Sequence, residues 1–146
     1  MQLSIIKIGG HIIDDESKLN GFLDCFAAIP GKKILVHGGG KLATKVAEGL
    51  GIRQQLVDGR RITDAETLKV VTMVYAGTIN KHIVAQLQAR GCNAVGLTGA
   101  DGNSILAHKR IHPEIDYGFV GDVDSVDAAF LTSLLMLEAT LVFANE

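Results

Sequence analysis

The stretch KILVHGGG at residues 33–40 decides the fold class of this chain. Its first four residues, a lysine followed by three apolar residues, are typical of a short buried strand, and the three glycines after His37 end that strand in a tight turn. The segment LSIIKIGG at residues 3–10 has the same arrangement, because a short apolar run again ends in two glycines. Short apolar strands that alternate with helices are typical of a parallel sheet with helices on both faces.

Outward from these two strands, helical spacing of apolar residues alternates with further short apolar runs. The predicted helices are 17–29, 41–50, 63–89 and 127–137, the third of them bent near Gly77. The predicted strands after the first two are 93–97, 105–109, 119–122 and 139–144. The expected fold is α/β, one domain over residues 1–146 built as a three-layer αβα sandwich around a mostly parallel central sheet.

Residues 55–66 combine a hairpin signal with a helix start. Asp58-Gly59 is a strong turn signal between residues 55–57 and 60–62. Thr63 and Glu66 then have the spacing of a capping box, which predicts that the third helix begins with Thr63 as its N-cap.

Composition places the chain among globular proteins and excludes intrinsic disorder. It has 146 residues, 47% of them hydrophobic, and a mean hydropathy of +0.27. Aromatic residues are only 5%, so aliphatic side chains must build the core. The 17 glycines indicate places where the backbone approaches another group closely.

Charge and hydropathy patterning narrow the function classes. Fourteen Lys and Arg against 16 Asp and Glu give a net charge of −2, which argues against nucleic-acid binding. No apolar run approaches the ~18 residues of a membrane helix, and the first residues lack a signal-peptide pattern. A cytoplasmic protein is therefore expected, with Cys25 and Cys92 as buried free thiols.

The two glycine clusters predict a site for a small anion. Glycine loops expose main-chain N–H groups, and a helix N-terminus behind them adds partial positive charge. Lys7 stands just before Gly9 and Gly10, where an ammonium could neutralise a transferring phosphoryl group. The alternatives are that the clusters are only tight strand-to-helix turns and that Lys7 is solvated at a sheet edge.

Other motif interpretations of HGGG fit less well. Gly38-x-Gly40-x-x-Ala43 matches the dinucleotide fingerprint in form, but Asp58 lies in a hairpin turn rather than after a second parallel strand. An esterase oxyanion loop requires a G-x-S-x-G elbow that the sequence lacks. A Walker A loop is excluded because Leu42 follows Gly40-Lys41.

The remaining charged residues offer one binding candidate and no metal site. Arg60 and Arg61 follow the hairpin turn, where an arginine could clamp a carboxylate, although such pairs are often solvated. The histidines show no i, i+4 ligand pair, so no metal is predicted. The acidic pairs Asp14-Asp15 and Asp122/Asp124 are predicted to be turn or capping residues.

At five segments the sequence resembles the amino-acid kinase family. Their order and spacing follow the family pattern, and the resemblance covers essentially the whole chain. The segments are IKIGG at 6–10, VHGGG at 36–40, DGRRITD at 58–64, AGTINK at 76–81 and AVGLTGADG at 94–102.

The resemblance implies ATP-dependent transfer of the γ-phosphoryl group to the side-chain carboxylate of an N-acylated glutamate, N-acetyl-L-glutamate, in the route to arginine. Lys7 would then be catalytic, and Gly9 and Gly10 would lie near the phosphates. Gly39 and Gly40 would hold the acyl amino acid through main-chain N–H groups, and Arg61 would bind its α-carboxylate.

The resemblance also implies a second lobe, because the family's carboxyl-terminal half carries the nucleotide pocket and a second lysine. The chain is therefore expected to be the amino-terminal substrate-binding and dimerisation lobe, inactive alone, with the pocket for ATP and Mg²⁺ mostly outside it. Members of the family dimerise through the segment that matches Thr63 to Ala89 here. The alternative is a non-catalytic module that senses an acyl amino acid on the same half-fold.

Overall fold

Four parallel strands form the central sheet of the computed structural model, which describes residues 2–145. Met1 and Glu146, the predicted domain limits, lie outside the described residues. The strands of the sheet lie in the order β1-β2-β8-β5, and two separate antiparallel hairpins, β3–β4 and β6–β7, flank it. The strands are β1 (Leu3–Ile8), β2 (Lys32–His37), β3 (Gln55–Val57), β4 (Arg60–Ile62), β5 (Ala94–Leu97), β6 (Ile105–Lys109), β7 (Gly121–Val126) and β8 (Thr140–Ala144). The helices are α1 (Gly10–Ile13), α2 (Glu16–Ala28), α3 (Leu42–Gly49), α4 (Ala65–Val71), α5 (Asn80–Ala89) and α6 (Ala128–Met136), with a π-helical segment at Thr72–Ile79 and a 3₁₀ turn at Asp101–Asn103.

Helices cover both faces of the sheet, as the strand pattern predicts. Helices α2 to α5 pack on one face, where Phe26 and Ile83 meet Leu35 of β2 and Val142 of β8 in one buried cluster. Helix α6 packs on the other face, where Leu135 joins a smaller buried cluster. The predicted three-layer α/β architecture is confirmed.

The register of the sheet brings three strand ends to one edge. Ile8 pairs with His37, and His37 pairs with Ala144, so β1, β2 and β8 end at the same level. The N–H of Asn145 donates to the carbonyl of His37 at 2.8 Å, which ties the end of β8 to that of β2. Ligand sites in open parallel sheets lie at this carboxyl edge.

The long predicted helix differs from the prediction at its start. Its N-cap is Asp64, whose side chain accepts a 2.8 Å hydrogen bond from the N–H of Thr67, and not Thr63. Thr63 is buried and exchanges main-chain hydrogen bonds with residues 117 and 119, which removes it from the helix. The irregularity expected near Gly77 is a π-helical segment that joins α4 to α5 without a break.

Three further local predictions were wrong. Cys92 is buried as expected, but Cys25 is exposed because it falls on the outer side of α2, between the buried positions Leu23 and Phe26. The strand predicted at 119–122 is instead β7, at Gly121–Val126. Asp122 and Asp124 therefore lie in a strand rather than in a turn, and they pair with Arg110 and His108 across the β6–β7 hairpin.

No helix within residues 2–145 is both long enough and apolar enough to cross a membrane.

Candidate functional site

The two glycine loops meet at the carboxyl edge of the sheet. A Cβ atom placed on Gly10 would lie 2.9 Å from the Cα of Gly40, so the two backbones touch with no room for a side chain at Gly10. Gly40 has a φ of +55°, a backbone conformation that residues other than glycine rarely adopt. The predicted convergence of the two loops is therefore present, and it depends on glycine at both contact points.

Asp14, beyond the first loop, holds the second loop in place. Its carboxylate accepts a 2.9 Å hydrogen bond from the N–H of Lys41, the N-cap residue of α3. A Cβ on Gly40 would lie 2.2 Å from the same carboxylate oxygen, so Gly40 is also what lets Asp14 approach. Asp14 was predicted as a turn or capping residue, and this is confirmed: it is the C-cap residue of α1. The prediction did not extend to its carboxylate, which bonds the other loop. Asp15 is the N-cap of α2 and accepts from the N–H of Lys18, and that hydrogen bond lowers its pKa.

The glycine amides of both loops have no partner in the described part of the chain. None of the five N–H groups donates a hydrogen bond to any group of residues 2–145. They belong to Gly9, Gly10, Gly38, Gly39 and Gly40. Unpaired main-chain donors in such glycine loops can bind phosphate or carboxylate oxygens.

Lys7 lies directly beside the first loop. Its Nζ is 3.9 Å from the position that a Cβ on Gly9 would take, and its side chain is exposed. It forms no hydrogen bond or ion pair with any group of residues 2–145, so its ammonium is available to an anion at the loop. Lys7 pairs in register with Val36 of β2, which places it on the sheet face that α6 partly covers.

The side chain of Tyr75, in the π-helical segment, packs against the second glycine loop. Its ring lies against Gly39 so closely that a Cβ there would be 1.7 Å from the ring carbon Cε1. Gly39 is buried by this contact. Sequence reasoning missed Tyr75, because neither a turn signal nor the helical spacing of residues 63–89 indicates where that ring points.

Arg61 is half-buried and held by two side chains of neighbouring elements. Its guanidinium donates to Gln54 Oε1 and, at 3.0 Å, to the hydroxyl of Thr44 on α3. Gln54 in turn donates to the Thr67 hydroxyl of α4 at 3.2 Å, so the hairpin is tied to two helices through Arg61. Neither Gln54 nor Thr44 carries a motif that the sequence could have shown.

Two clefts lie beside the glycine loops. The first, lined by Gly10, Asp14, Gly40 and Lys41, lies between the glycine loops. The second, of about 360 Å³, is lined among others by Arg61, Tyr75 and Asn145. Tyr75 also touches Gly39, so it stands where the second cleft meets the second loop. The structure thus places Lys7 beside Gly9 and brings Gly10 to Gly40, whereas Arg61 lies in the second cleft.

This arrangement suits an elongated ligand with two anionic ends. The glycine amides and Lys7 can hold one negative group, and Arg61 can hold a second in the cleft that Tyr75 lines. Within residues 2–145, no three His, Cys, Asp or Glu side chains converge on a metal position. The described side chains therefore do not form a Mg²⁺ site by themselves.

Comparison with known proteins gives one consistent answer. The model of the amino acid kinase family matches residues 2–146. The chain is 62% identical over 134 residues to the acetylglutamate kinase of Bacteroides fragilis, covering 92% of this chain and 51% of that protein. It is 60% identical over 144 residues to the acetylglutamate kinase of Cytophaga hutchinsonii, covering 98% of this chain and 54% of that protein. The crystal structure of smu.665 from Streptococcus mutans matches with a TM-score of 0.78 at 21% identity, over 97% of this chain and 58% of the other, and so shares its fold. The chain spans about half the length of the curated relatives it matches.

Proposed function

The chain belongs to the amino acid kinase family, and from this premise we propose that it is the substrate-binding lobe of an acetylglutamate kinase. The reaction is transfer of the γ-phosphoryl group of ATP to the side-chain carboxylate of N-acetyl-L-glutamate, a step towards arginine. A second lobe, which this chain does not include, carries most of the nucleotide pocket.

The observation that carries the proposal is the pair of glycine loops with unpaired amides beside Lys7. The acceptor carboxylate is already ionised at neutral pH, so the reaction needs no general base. One of its oxygens forms the new bond to the γ-phosphorus, and the bond from phosphorus to the bridging oxygen of ADP breaks. Such a transfer needs alignment of two anions and neutralisation of their charge, and main-chain donors with one ammonium supply both.

Each predicted site residue takes a role consistent with its position. Lys7 neutralises charge on the transferring phosphoryl group, next to Gly9 and Gly10, which face the phosphates. Gly39 and Gly40 donate to the acyl amino acid. Arg61 pairs with the α-carboxylate in the second cleft and gives up one of its present hydrogen bonds to Gln54 or Thr44.

Mg²⁺ does not fit a protein-only site in the described chain, since no three candidate ligands converge there. We therefore assign the metal to the nucleotide, whose phosphates carry it into the site. None of the roles given to residues of this chain depends on it.

The proposal includes two properties of the whole protein. We place it in the cytoplasm, where ATP and the acyl amino acid are available.

We also propose a homodimer through the segment from Thr63 to Ala89, whose outer surface includes Met73, 54% exposed. Equilibrium sedimentation of the wild type and of Met73→Lys tests the dimer, because a lysine at that position would destabilise an interface there.

A phosphoryl-transfer assay on the protein made from its complete reading frame tests the activity. ADP release is measured with N-acetyl-L-glutamate, N-succinyl-L-glutamate and free glutamate, and the acyl phosphate is trapped with hydroxylamine as a hydroxamate. We expect ADP and hydroxamate in equal amounts, with the highest kcat/KM for the acetyl substrate. Binding of N-acetyl-L-glutamate without either product would instead support the sensing module.

A further inference from the structure

We propose that His37 and Asn80 are positioning residues that aim the main-chain N–H of Gly39 into the substrate site. The inference rests on the proposed function only for what Gly39 binds. The hydrogen-bond network that carries it is a property of the fold. Both side chains are fully buried, and neither belongs to the groups assigned above to substrate or phosphate.

Two partners of Asn80 fix the donors and acceptors of this network, because one of them can only accept a hydrogen bond and the other can only donate one. Asn80 Nδ2 donates to the carbonyl of Val142 at 2.9 Å, and Asn80 Oδ1 accepts from the Lys81 ammonium at 2.8 Å. A carbonyl cannot donate and an ammonium cannot accept, so the orientation of the amide is settled. The second N–H of Nδ2 therefore points at His37 Nε2, 3.0 Å away.

The tautomer of His37 follows from that assignment. Nε2 accepts from Asn80, so Nδ1 carries the proton, and Nδ1 lies 2.8 Å from the carbonyl oxygen of Gly38, which can only accept. The ring is neutral in this arrangement. Burial lowers the pKa of His37, and the nearby charge of Lys81 lowers it further, whereas the bond to Gly38 acts in the opposite direction.

The bond to Gly38 determines where the next N–H points. In a trans peptide the C=O of one residue and the N–H of the next are antiparallel, and the described chain contains no cis peptide. With the Gly38 carbonyl held towards His37, the N–H of Gly39 is directed away from it. That N–H has no partner in residues 2–145, so it is left as a preset donor for the ligand.

The network fits in the fold because a neighbouring strand has a glycine beside Asn80. Gly96 of β5 lies so close that a Cβ there would be 1.9 Å from Asn80 Oδ1. A strand interior is an unfavourable place for glycine, so its presence here fits a requirement for Asn80 at this depth. The carbonyl of His37 is also held, by the N–H of Asn145, which fixes the peptide before the loop.

Two substitutions at one position separate positioning from packing. In His37→Asn the side-chain amide nitrogen can take the place of Nδ1 and still donate to Gly38. In His37→Gln the polar atoms lie near Nε2, and the donor to Gly38 is lost. Both remove the ring from the same buried place, so both disturb packing.

We expect His37→Gln to raise the KM for N-acetyl-L-glutamate about tenfold, the effect of misaligning one hydrogen bond to a charged group. His37→Asn should stay within about twofold of the wild type, and the KM for ATP should change little in either variant. A merely structural role would lower the active fraction in both variants and leave both KM values unchanged. Equal KM values for the acyl substrate in the two variants would therefore overturn the inference.

A second measurement does not depend on activity. Histidine-selective ¹⁵N NMR of the full-length wild type, with the His37 signals identified by their loss in His37→Asn, reports which ring nitrogen carries the proton. We expect a neutral ring protonated at Nδ1, and protonation at Nε2 would refute the network. If the wild type phosphorylates no N-acylglutamate, the proposed function fails, while this spectrum still tests the hydrogen bonds of His37 to Gly38 and Asn80.

Discussion

The carboxylate of Asp14 accepts a 2.9 Å hydrogen bond from the main-chain N–H of Lys41, 27 positions further along the chain. This bond joins the two glycine loops across the space in which we place the phosphates. It also satisfies an amide at the start of α3 that no intrahelical carbonyl can reach. Asp14 is thus part of the framework that keeps the glycine amides close together.

Replacing Asp14 should therefore loosen the site as well as the fold. We expect Asp14→Ala to lower kcat/KM at least tenfold and to destabilise the protein by about 1 kcal/mol, the usual cost of losing an exposed carboxylate that caps a helix. Asp14→Asn keeps an acceptor and should lose much less. Steady-state kinetics and urea unfolding measure the two effects.

Asp127→Ala is the matched control for Asp14→Ala. Asp127 caps α6 by accepting from the N–H of Phe130 at 2.9 Å, and it lies far from both loops in the sequence. Its loss should cost about 1 kcal/mol of stability and leave kcat/KM unchanged. If both variants lose activity in proportion to stability, Asp14 has no special relation to the site.

Gly39 tolerates no side chain while Tyr75 keeps its place. A Cβ would lie 1.7 Å from the ring, so Gly39→Ala must displace Tyr75 or the loop. We expect kcat/KM to fall at least a hundredfold, with a partial return of activity in the double variant Gly39→Ala/Tyr75→Ala. Steady-state kinetics on both variants measure the loss and the recovery.

Gly49→Ala provides the comparison for Gly39→Ala. No atom lies within 4 Å of a Cβ at Gly49, which is the last residue of α3. Alanine there should leave activity unchanged and alter stability by less than about 1 kcal/mol. Wild-type kinetics in Gly39→Ala would mean that the contact with Tyr75 is readily relieved.

Lys7 should act on turnover more than on binding. We expect Lys7→Ala to reduce kcat at least a hundredfold and to change the KM for N-acetyl-L-glutamate only a few-fold, because its charge is needed most in the transition state. Lys45→Ala, an exposed lysine of α3, is the control of equal charge change. A raised KM with unchanged kcat would show that Lys7 only binds the substrate.

Features that depend only on neighbouring residues could be predicted from the sequence. The apolar run at residues 34–36 predicts its strand correctly, because a strand buried on both faces of a parallel sheet needs apolar side chains on both sides. The glycine clusters after β1 and β2 then predict the tight loops that end these strands. Parallel topology brings those loops to one edge, so their convergence could also be predicted.

The features that were missed are set by contacts between distant segments. Asp14, Tyr75 and Asn80 each act on a loop that lies elsewhere in the chain, and their local patterns are those of a turn and of a helix. Likewise, Thr63 and Glu66 show the spacing of a capping box. Thr63 forms a β-bridge with Gly118 instead, and Asp64 caps the helix. Local propensity yields to tertiary pairing at such points.

Arg61 should control affinity for the acyl substrate. We expect Arg61→Ala to raise the KM for N-acetyl-L-glutamate at least tenfold with a smaller effect on kcat, since a paired carboxylate is bound equally before and during transfer. Arg53→Ala is the control at an exposed arginine close by in the sequence. An unchanged KM in Arg61→Ala would mean that Arg61 only ties the hairpin to α3 and α4.

Gln54→Leu tests the support of Arg61 separately. It removes the acceptor for the guanidinium and also the donor to Thr67. We expect an intermediate rise in KM, because Arg61 remains but loses one of the partners that orient it. A KM as high as that of Arg61→Ala would show that the guanidinium cannot reach the substrate without Gln54.

The buried His37 should make stability fall as the solution becomes acidic. Burial lowers its pKa below the ordinary 6.5, so the unfolded chain takes up a proton before the folded protein does. Its contribution is fully present above pH 6.5 and is lost as the pH falls from there towards the folded pKa. The slope is at most about 1.4 kcal/mol per pH unit for one proton. Urea unfolding of the wild type and of His37→Asn at several pH values between 7.5 and 5 measures this, because other groups contribute equally to both proteins and their difference isolates His37. We expect the stability advantage of the wild type to shrink with decreasing pH, and a difference that stays constant over this range would show that His37 binds its proton as easily in the fold as in the unfolded chain.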